Sequence, residues 1–422
     1  MASPETSIAV IGTLDTKLPE YLYLRSQILH HAPSANVVLI DAGRSPTNHE
    51  AITVPQPEVL KASGYQGEDG PLQSLPRGQV VKTMTSGAIR TVRQLHAQGQ
   101  IQAIIALGGS GGTSIAAAVM RELPLTFPKL IVSTVASGDT SSYVAESDIT
   151  MMYSVVDIAG LNEVLKAVVE NAAAAIVGMA KAYVERGRRA KTGTEKKGIG
   201  ITMFGVTTKG VEAARAWLEN QGFEVYVFHA TGAGGRAMER LVREGRLDGI
   251  LDLTTTELAD ELVGGVFSAG ESRLTAAAKA GLPQIISVGA LDMVNFGPKE
   301  TVPMKFQGRK LFEHNPSVTL MRTNDGECQE LGRRLASRLK RNCTKPELTE
   351  VWLPQKGISA IAVEGQAFHD KAADEALFNA ITNELNGSDI KVVEVDFDIN
   401  EKKWSDGVAQ RLKELVKQSS SS

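Results

Sequence analysis

The segment Ile104–Ser114 reads IIALGGSGGTS, and an alanine-rich apolar stretch, Ile115–Met120, follows it directly. Apolar residues, a glycine-rich turn and a helix-forming stretch are typical of a buried parallel strand that passes through a tight loop into a helix. The amides at such a helix start point out of the helix, with the positive end of the helix dipole behind them, and favour an anion such as phosphate. The sequence therefore predicts an α/β protein with a phosphate loop at Gly108–Thr113.

The same glycines have a second interpretation, in which they only allow the helix to pack closely on the sheet. The loop is not a Walker A sequence, because GxxxxGK[ST] is absent and no lysine follows the glycines. Lys17, at the end of the loop Gly12–Lys17, or Lys209 in the second half could supply positive charge from a neighbouring loop. Either lysine could equally be a solvated residue at a helix start.

Strands and helices alternate along the chain in two similar series, as if one module were used twice. The first series begins with a strand at Ile8–Ile11, and the second begins with a strand at Ile199–Phe204. Glycine or polar turns follow the strands, which is the pattern of open parallel sheets. We predict two Rossmann-like, doubly wound parallel-sheet domains facing a common cleft. Their predicted bounds are residues 1–190 and 198–418, with the final strand and helix in the second domain.

Three segments have less regular patterns. Arg44–Gly78 shows no periodicity and is expected to form a long loop, and such loops are usually functional or disordered. Val302–Lys340 is polar and is expected to be helical. Asp15 and Thr16 are expected to cap a helix that begins near Leu18.

Composition limits the classes of function. The chain has 422 residues, two cysteines and a net charge of −3. This charge argues against general nucleic-acid or membrane-surface binding. The cysteines form no zinc or disulfide pattern, and no secretory signal is expected, so a cytoplasmic location is predicted. The apolar stretch Val164–Val184 contains Lys166, Glu170 and Lys181 and is expected to be a buried helix rather than a membrane span.

Ligands of parallel sheets bind beyond the carboxyl ends of the strands, so the candidate residues come from strand-end loops. The candidates are Gly12, Thr13, Asp15, Lys17, Gly108, Gly109, Ser110, Gly111, Gly112, Thr113, Ser137 and Gly138 in the first half, and Thr207, His229, Thr231, Gly232, Gly235, Arg236, Thr255 and Glu257 in the second. Asp292 and Asn295, in an expected strand-end loop at Gly289–Asn295, could bind Mg²⁺ or a ribose, or cap a turn. Spacing assembles no Ser/His/Asp or Cys/His set, so no catalytic residue is assigned.

A rival pattern lies in the second half. Gly232-x-Gly234-x-x-Ala237 follows a predicted strand and opens a helix, and Asp252 ends the next strand. This fits the dinucleotide fingerprint and favours an alternative function, an NAD(P)-dependent oxidoreductase. The fingerprint usually opens a nucleotide-binding half, whereas here it follows the second strand of its half.

Nine motifs together resemble one family. They are GTLDTK, LGGSGGTS, STVASGDT, SVVDIAGLN, MFGVTT, FHATGAGGRAME, LDLTTTELAD, SVGALDMVNFGP and LPQKGISA, and they fall within residues 8–417. The set resembles the uncharacterised ATP-binding family of the tomato mosaic virus resistance protein. This resemblance implies two Rossmann-like domains, ATP binding and a homodimer. The matching region of the plant resistance protein binds the viral replication protein and inhibits viral RNA replication, so the resemblance also implies a possible protein partner of this kind.

The plant protein carries a further C-terminal TIM-barrel-type domain, and no activity of that domain is expected here. The resemblance assigns the nucleotide best to Gly12–Lys17 and Gly108–Thr113. We therefore expect a protein that binds ATP with Mg²⁺ between the two domains, where Asp15 or Asp139 reaches the metal. A weak ATPase, a small-molecule kinase and a non-catalytic, ATP-gated protein-binding module all fit this expectation.

Overall fold

The computed structural model describes residues 6–190 and 196–420. The first range forms one compact unit and the second range forms another. Each unit contains a parallel β-sheet with hydrophobic layers of helices on both faces, which confirms the predicted α/β class. The segment expected to join the domains includes residues 191–195, which lie outside the described residues.

In the first unit, five parallel strands lie in the order β2-β1-β3-β4-β5. The strands are β1 Ser7–Gly12, β2 Asn36–Asp41, β3 Ala103–Gly108, β4 Lys129–Ser133 and β5 Thr150–Tyr153. The helices are α1 Leu14–His31, α2 Gln56–Ser63, α3 Arg77–Ala97, α4 Ser110–Arg121, α5 Ser141–Val144 and α6 Glu163–Ala190. The direction of strand addition reverses between β1 and β3.

Alternate residues of β1 belong to different hydrophobic layers. Ala9 and Ile11 pack in the layer of α2, α3 and α4, whereas Ile8 and Val10 pack in the layer of α1 and α6. Burial on both faces explains why the central strands are continuous apolar runs. Helix α6 is long and apolar enough to cross a membrane, but core helices of soluble proteins meet the same two criteria. In this structure, 33% of its most apolar 18-residue window is buried.

In the second unit, six parallel strands lie in the order β7-β6-β8-β9-β13-β14. The strands of this sheet are β6 Gly198–Met203, β7 Glu224–His229, β8 Gly249–Thr254, β9 Gln284–Gly289, β13 Thr349–Pro354 and β14 Lys391–Val395. Three further strands of the unit are β10 Met293–Phe296, β11 Leu311–Asn315 and β12 Val318–Arg322. The helices are α7 Thr208–Asn220, α8 Ala233–Arg243, α9 Glu257–Val263, α10 Ala276–Ala280, α11 Asp325–Asn342, α12 Lys371–Leu385 and α13 Lys402–Ser419. The five strands from β7 to β13 repeat the order of the first unit.

The prediction that Val302–Lys340 is helical is wrong for much of its length. This segment contains β11 and β12, and its long helix, α11, begins only at Asp325. Strand β12 pairs antiparallel with both β10 and β11, which forms a separate three-stranded sheet. Strand β11 reads LFEHN and is mostly exposed, so it lacks the apolar–polar alternation by which a strand is recognised in a sequence.

Two predictions near the amino terminus also need correction. Arg44–Gly78 contains α2 and the start of α3 rather than only a loop. Helix α1 begins at Leu14, so Asp15 lies in its first turn and does not cap a later helix. Lys17 leaves the helical conformation, with a φ of −138°, two residues before Pro19. Proline lacks an amide donor and crowds the preceding turn, which accounts for this kink.

Candidate functional site

A cavity of about 500 Å³ opens in the first unit at the carboxyl ends of β1, β2 and β3. Its walls are the segments that follow these strands, together with the first turns of α3 and α4. It lies where the direction of strand addition reverses, and doubly wound sheets bind their ligands at this point. Its volume is in the range of small-molecule sites. The cavity is therefore the candidate functional site.

The cavity brings together predicted ligand residues from two strand ends. They are Thr13, Asp15 and Lys17 after β1, and Gly109, Ser110, Gly111 and Gly112 after β3. Three other predicted residues, Gly12, Gly108 and Thr113, are buried and do not line the cavity. Ser137 and Gly138 are exposed in the turn after β4, also outside the lining.

The glycines that line the cavity have more room than packing requires. A Cβ atom on Gly109 or Gly112 would meet its nearest neighbour at 3.8 or 3.5 Å, which are ordinary contact distances. At Gly111 the nearest atom, at 3.3 Å, belongs to the flexible end of the Arg77 side chain. None of these three glycines has a positive φ. Alanine would therefore fit the fold and would lose less conformational entropy on folding.

Packing does explain two neighbouring glycines. A Cβ atom on Gly108 would lie 2.9 Å from the backbone of the following turn. On Gly12 it would lie 1.9 Å from the ring of Tyr21. The interpretation in which the glycines only pack therefore accounts for these two positions but not for the glycines that line the cavity.

Helix α4 starts without a side-chain cap. Its Thr113 amide donates to the Gly109 carbonyl oxygen at 2.9 Å. The preceding amides of Ser110, Gly111 and Gly112 have no acceptor within the helix. With the positive end of the helix dipole behind them, these amides form a surface suited to an anion.

Backbone carbonyls hold two cationic side chains of the cavity. Nζ of Lys17 donates to the carbonyl oxygen of Ile158, in the segment after β5. The guanidinium of Arg44 donates to the carbonyl oxygens of Gln73 and Leu75. Both residues contribute positive charge to the cavity, but the protein already uses part of their hydrogen-bonding capacity.

Asp15 is exposed and lines the same cavity. Its Oδ2 accepts hydrogen bonds from the amides of Arg44 at 3.0 Å and Ser45 at 3.2 Å, which ties the segment after β2 to α1. Asp139 is exposed in the turn after β4 and accepts a hydrogen bond from the Ser141 amide at 2.9 Å. Of the two predicted metal-reaching carboxylates, only Asp15 lines the cavity.

Sequence reasoning missed the role of Asp41, a fully buried residue at the end of β2. Its carboxylate accepts hydrogen bonds from the amides of Leu14 at 3.3 Å, Gly43 at 2.9 Å and Thr47 at 3.2 Å. Burial raises the pKa of Asp41 above its usual range, and these amides oppose that shift. Asp41 therefore holds together the segments after β1 and β2 that border the cavity. An acidic residue directly after a buried strand was the available signal.

Sequence reasoning also missed one face of α3. Arg77, Val80, Val81 and Met84 line the cavity. Their spacing of i, i+3, i+4 and i+7 places them along one side of a helix. Ile115 of α4 adds a further apolar residue to the cavity. The cavity thus has an apolar wall next to the anion-binding amides.

The second glycine loop, in the second unit, has a different construction. The carboxylate of Glu257 accepts hydrogen bonds from the amides of Gly232 at 2.7 Å and Gly235 at 3.1 Å. A Cβ atom on Gly235 would lie 2.1 Å from that carboxylate, and one on Gly234 would lie 1.9 Å from the His229 carbonyl oxygen. Packing therefore requires glycine at both positions, and the chain supplies its own anion to the loop amides.

Asp252, the candidate ribose ligand, belongs to a buried charge cluster. Arg273 donates two hydrogen bonds to Asp252 and one, at 2.6 Å, to Glu257. Glu239 lies 3.6 Å from the same guanidinium. We call these four residues the Arg273 cluster. Burial raises the pKa of Glu239, and Arg273 opposes this shift.

The remaining predicted residues of the second unit make hydrogen bonds or ring contacts within the protein. The His229 ring is stacked on Phe204 with centroids 5.5 Å apart, and the Thr231 hydroxyl donates to the His229 carbonyl oxygen. Arg236 donates to the carbonyl oxygen of Ser268 at 3.0 Å.

Two of the three predicted threonines of this unit, Thr207 and Thr255, are fully buried. The hydroxyls of Thr207 and Thr254 lie 2.8 Å apart, and Thr255 donates to the Ser287 carbonyl oxygen at 2.9 Å. No side chain caps α9, although Thr254, Thr255 and Thr256 precede it directly.

The expected strand-end loop at Gly289–Asn295 is also corrected, because Asn295 lies within β10. Both Asp292 and Asn295 are fully buried. Ser359 donates to Asp292 at 2.8 Å, and the amide of Asn295 donates to Asp260 at 2.8 Å. These contacts anchor the three-stranded sheet.

Comparison with known proteins agrees with the two units. The N-terminal domain model of the Uncharacterised protein family (UPF0261) matches residues 6–185, and its C-terminal domain model matches residues 196–416. A UPF0261 protein of Clostridium tetani is 45% identical over 405 residues, which cover 96% of this chain and 98% of that protein. A UPF0261 protein of Rhizobium meliloti is 43% identical over 411 residues, with 97% and 99% coverage.

Two tomato proteins are also similar. The ToMV resistance protein Tm-1(GCR237) of Solanum lycopersicum is 39% identical over 418 residues, which cover 96% of this chain and 55% of the tomato protein. The ToMV susceptible protein tm-1(GCR26) is also 39% identical and covers the same shares. Because a resistance protein and a susceptible protein match to the same extent, the similarity does not carry the antiviral action.

The two sheets and the cavity define an α/β protein with doubly wound domains and a small-molecule-sized site at the reversal point of the first sheet. The chain belongs to the UPF0261 family, which includes the tomato Tm-1 homologues.

Proposed function

We propose that the first unit binds ATP in its cavity and that the chain is a nucleotide-binding protein. The observation that carries this proposal is the excess room at Gly109, Gly111 and Gly112. Glycine in the first turn of a helix has a conformational cost, and neither packing nor positive φ requires it here. A phosphate group next to the α4 amides accounts for this choice, because phosphate oxygens need close access to the backbone.

The apolar wall supports a ligand with a planar apolar part as well as phosphates. Val80 and Met84 are buried on α3, and Ile115 faces the same cavity from α4. Adenine would lie on this wall while the phosphates lie at the first turn of α4. The cavity volume of about 500 Å³ is sufficient for a mononucleotide of this kind.

Asp15 fits a role beside Mg²⁺, because Mg²⁺ in nucleotide sites is usually held by one or two carboxylates together with the phosphates. Within the described ranges, no group of three or more His, Cys, Asp or Glu side chains could hold a metal. The proposed Mg²⁺ would therefore arrive with the nucleotide.

The lining favours binding with at most slow hydrolysis. Asp15 is the carboxylate of the cavity, and its Oδ2 already accepts two backbone hydrogen bonds. A fast phosphoryl-transfer site normally positions its nucleophile with a dedicated base. We therefore place a non-catalytic, ATP-gated protein-binding module ahead of a kinase. Release of ADP from purified protein, measured against a buffer blank, distinguishes turnover from binding.

The geometry of the second glycine loop does not favour the oxidoreductase alternative, which depends on the Gly232–Ala237 fingerprint and on Asp252. Glu257 occupies the amides of Gly232 and Gly235, and Asp252 is paired with Arg273. Neither group is arranged for a pyrophosphate or a ribose.

Isothermal titration of the full chain with ATP and with NAD⁺, each with and without Mg²⁺, tests the proposed function. We expect binding of ATP, stronger with Mg²⁺, and no binding of NAD⁺. Absence of ATP binding both with and without Mg²⁺ would reject the proposal. Preferential binding of NAD⁺ would restore the oxidoreductase interpretation.

A further inference from the structure

Arg77 is a cavity cation that the protein leaves available. Lys17 and Arg44 donate to backbone carbonyls, whereas the described residues offer Arg77 no hydrogen bond or ion pair. Arg77 is exposed, and it is the first residue of α3. An unpaired guanidinium at a cavity wall can form bidentate hydrogen bonds with a phosphate.

The position of this guanidinium is defined by its contact with the glycine loop. One terminal nitrogen of Arg77 lies 3.3 Å from the position that a Cβ atom of Gly111 would take. It therefore lies beside the first turn of α4, next to the amides that have no acceptor in the helix. A phosphate at those amides would be within reach of the arginine.

The same face of α3 also limits the length of the ligand. Val80 and Val81 lie about one turn beyond Arg77, and Met84 lies about two turns beyond it, which corresponds to about 5 and 10 Å along the axis. A ligand that contacts all of them has an anionic end and an apolar body within about 10 Å of each other. That length suits a mononucleotide better than a dinucleotide.

From these contacts we infer that Arg77 is the phosphate-binding side chain of the site and that Val80, Val81 and Met84 hold the apolar body of a mononucleotide. This inference rests on the proposed nucleotide site for the identity of the ligand. The role of Arg77 itself requires only that a phosphate binds at α4.

The experiment compares the full-length chain with its Arg77→Gln and Arg77→Lys variants by isothermal titration with ATP, inorganic tripolyphosphate and adenosine. Arg77→Gln should weaken ATP and tripolyphosphate at least 10-fold and adenosine less than 2-fold. Arg77→Lys should give an intermediate loss, because lysine keeps the charge but not the fork geometry. Arg93→Gln is the matched control on the same helix, since Arg93 is exposed and has only a 3.8 Å ion pair with Glu122.

The outcomes separate this inference from the proposed function. Unchanged ATP affinity in Arg77→Gln, or equal losses for ATP and adenosine, would overturn the phosphate role of Arg77 while leaving nucleotide binding intact. Tripolyphosphate binding that depends on Arg77, with ATP bound no more tightly, would support Arg77 and reject the nucleotide. Binding of none of the three probes would reject both.

Discussion

The hydroxyl of Tyr21 accepts a hydrogen bond from the backbone amide of Leu107 at 3.0 Å. This contact joins α1 to the end of β3, directly before the glycine loop. Tyr21 is fully buried, and burial raises the pKa of its hydroxyl well above the usual value. The same ring fills the space that a side chain on Gly12 would need. Tyr21 therefore sets the relative position of the two strand ends that form the cavity.

Replacing Tyr21 by Phe should destabilise the first unit by about 1–3 kcal/mol, because it leaves buried backbone groups without their partner. Urea unfolding followed by far-UV circular dichroism measures this change. Tyr23→Phe on the same helix is the control, since its hydroxyl contacts Glu170 in an exposed setting and should change stability by less than about 1 kcal/mol. Equal effects of the two variants would contradict the bridging role of Tyr21.

Gly111→Val should abolish ATP binding without unfolding the protein. The added side chain would occupy the cavity beside the α4 amides. Among the described residues outside α4 and the adjoining chain, the atom close to its Cβ is a terminal nitrogen of the flexible Arg77 side chain. Valine has a better helix propensity than glycine, so we expect stability to change by less than about 1 kcal/mol. Titration calorimetry and thermal unfolding measure the two quantities. Gly308→Val is the control, because Gly308 is exposed and a Cβ atom added there would meet no described atom within 4 Å beyond the adjoining chain. Full ATP affinity in folded Gly111→Val would refute the site.

Asp15→Asn should change the ATP affinity in opposite directions with and without Mg²⁺. Without Mg²⁺, loss of the negative charge should strengthen ATP binding, because it removes repulsion from the phosphates. With Mg²⁺, loss of a metal-binding oxygen should weaken ATP about 10-fold or more, as expected for one hard ligand to Mg²⁺. Asp139→Asn should have neither effect, because Asp139 lies outside the cavity lining. Parallel changes with and without Mg²⁺ would reject a role for Asp15 beside the metal.

Arg273→Leu should destabilise the second unit by about 3–5 kcal/mol, because it leaves the buried carboxylates of the Arg273 cluster without their cation. All three tryptophans of the chain, Trp217, Trp352 and Trp404, belong to this unit, so tryptophan fluorescence reports its unfolding. Arg215→Ala removes an exposed ion pair with Glu219 and should change stability by less than about 1 kcal/mol. A loss of similar size in both variants would show that the cluster is not a structural centre.

Asp260 should make the stability of the second unit depend on pH. Burial raises the pKa of Asp260 to about 7 in the folded state, above its ordinary value of 3.8. The folded state therefore binds the proton more tightly than the unfolded state. The resulting stabilisation is complete below pH 3.8 and is lost as the pH rises through about 7.

The Asp260→Asn variant cannot ionise at this position, so its own stability should not fall in this way. The free energy of unfolding of the variant minus that of the wild type should therefore increase as the pH rises. Urea unfolding from pH 4 to 8, followed by tryptophan fluorescence, measures this difference. Asp389→Asn, at an exposed position, should leave the wild-type profile unchanged. A constant difference between wild type and Asp260→Asn across the range would exclude the raised pKa.

The sequence patterns predicted the parallel strands of both units well, because strands buried on both faces are continuous apolar runs. The glycine run Gly108–Gly112 spans the end of β3 and the first turn of α4. The chain pattern could not distinguish Gly111 from Gly235, since the difference depends on what lies opposite each residue. Open cavity faces the first, and the carboxylate of Glu257 faces the second.

Arg77 and the glycine loop show the same limit from another side. Their contact joins residues that are more than thirty positions apart along the chain, and no motif marks Arg77. The i, i+3, i+4, i+7 spacing of the α3 face was visible in the sequence, but it also describes any helix that packs on a core. Only the structure shows that this face borders a cavity.

The carboxylate of Glu257 acts as a built-in ligand for the glycine loop of the second unit. A tethered group is present at a fixed effective concentration, whereas the stabilisation from a diffusing ligand grows with the logarithm of the ligand concentration once that concentration exceeds the Kd. If the first unit binds ATP as proposed, its free energy of unfolding therefore rises and falls with the nucleotide concentration, and its resistance to proteolysis follows. The free energy of unfolding of the second unit does not depend on the nucleotide concentration.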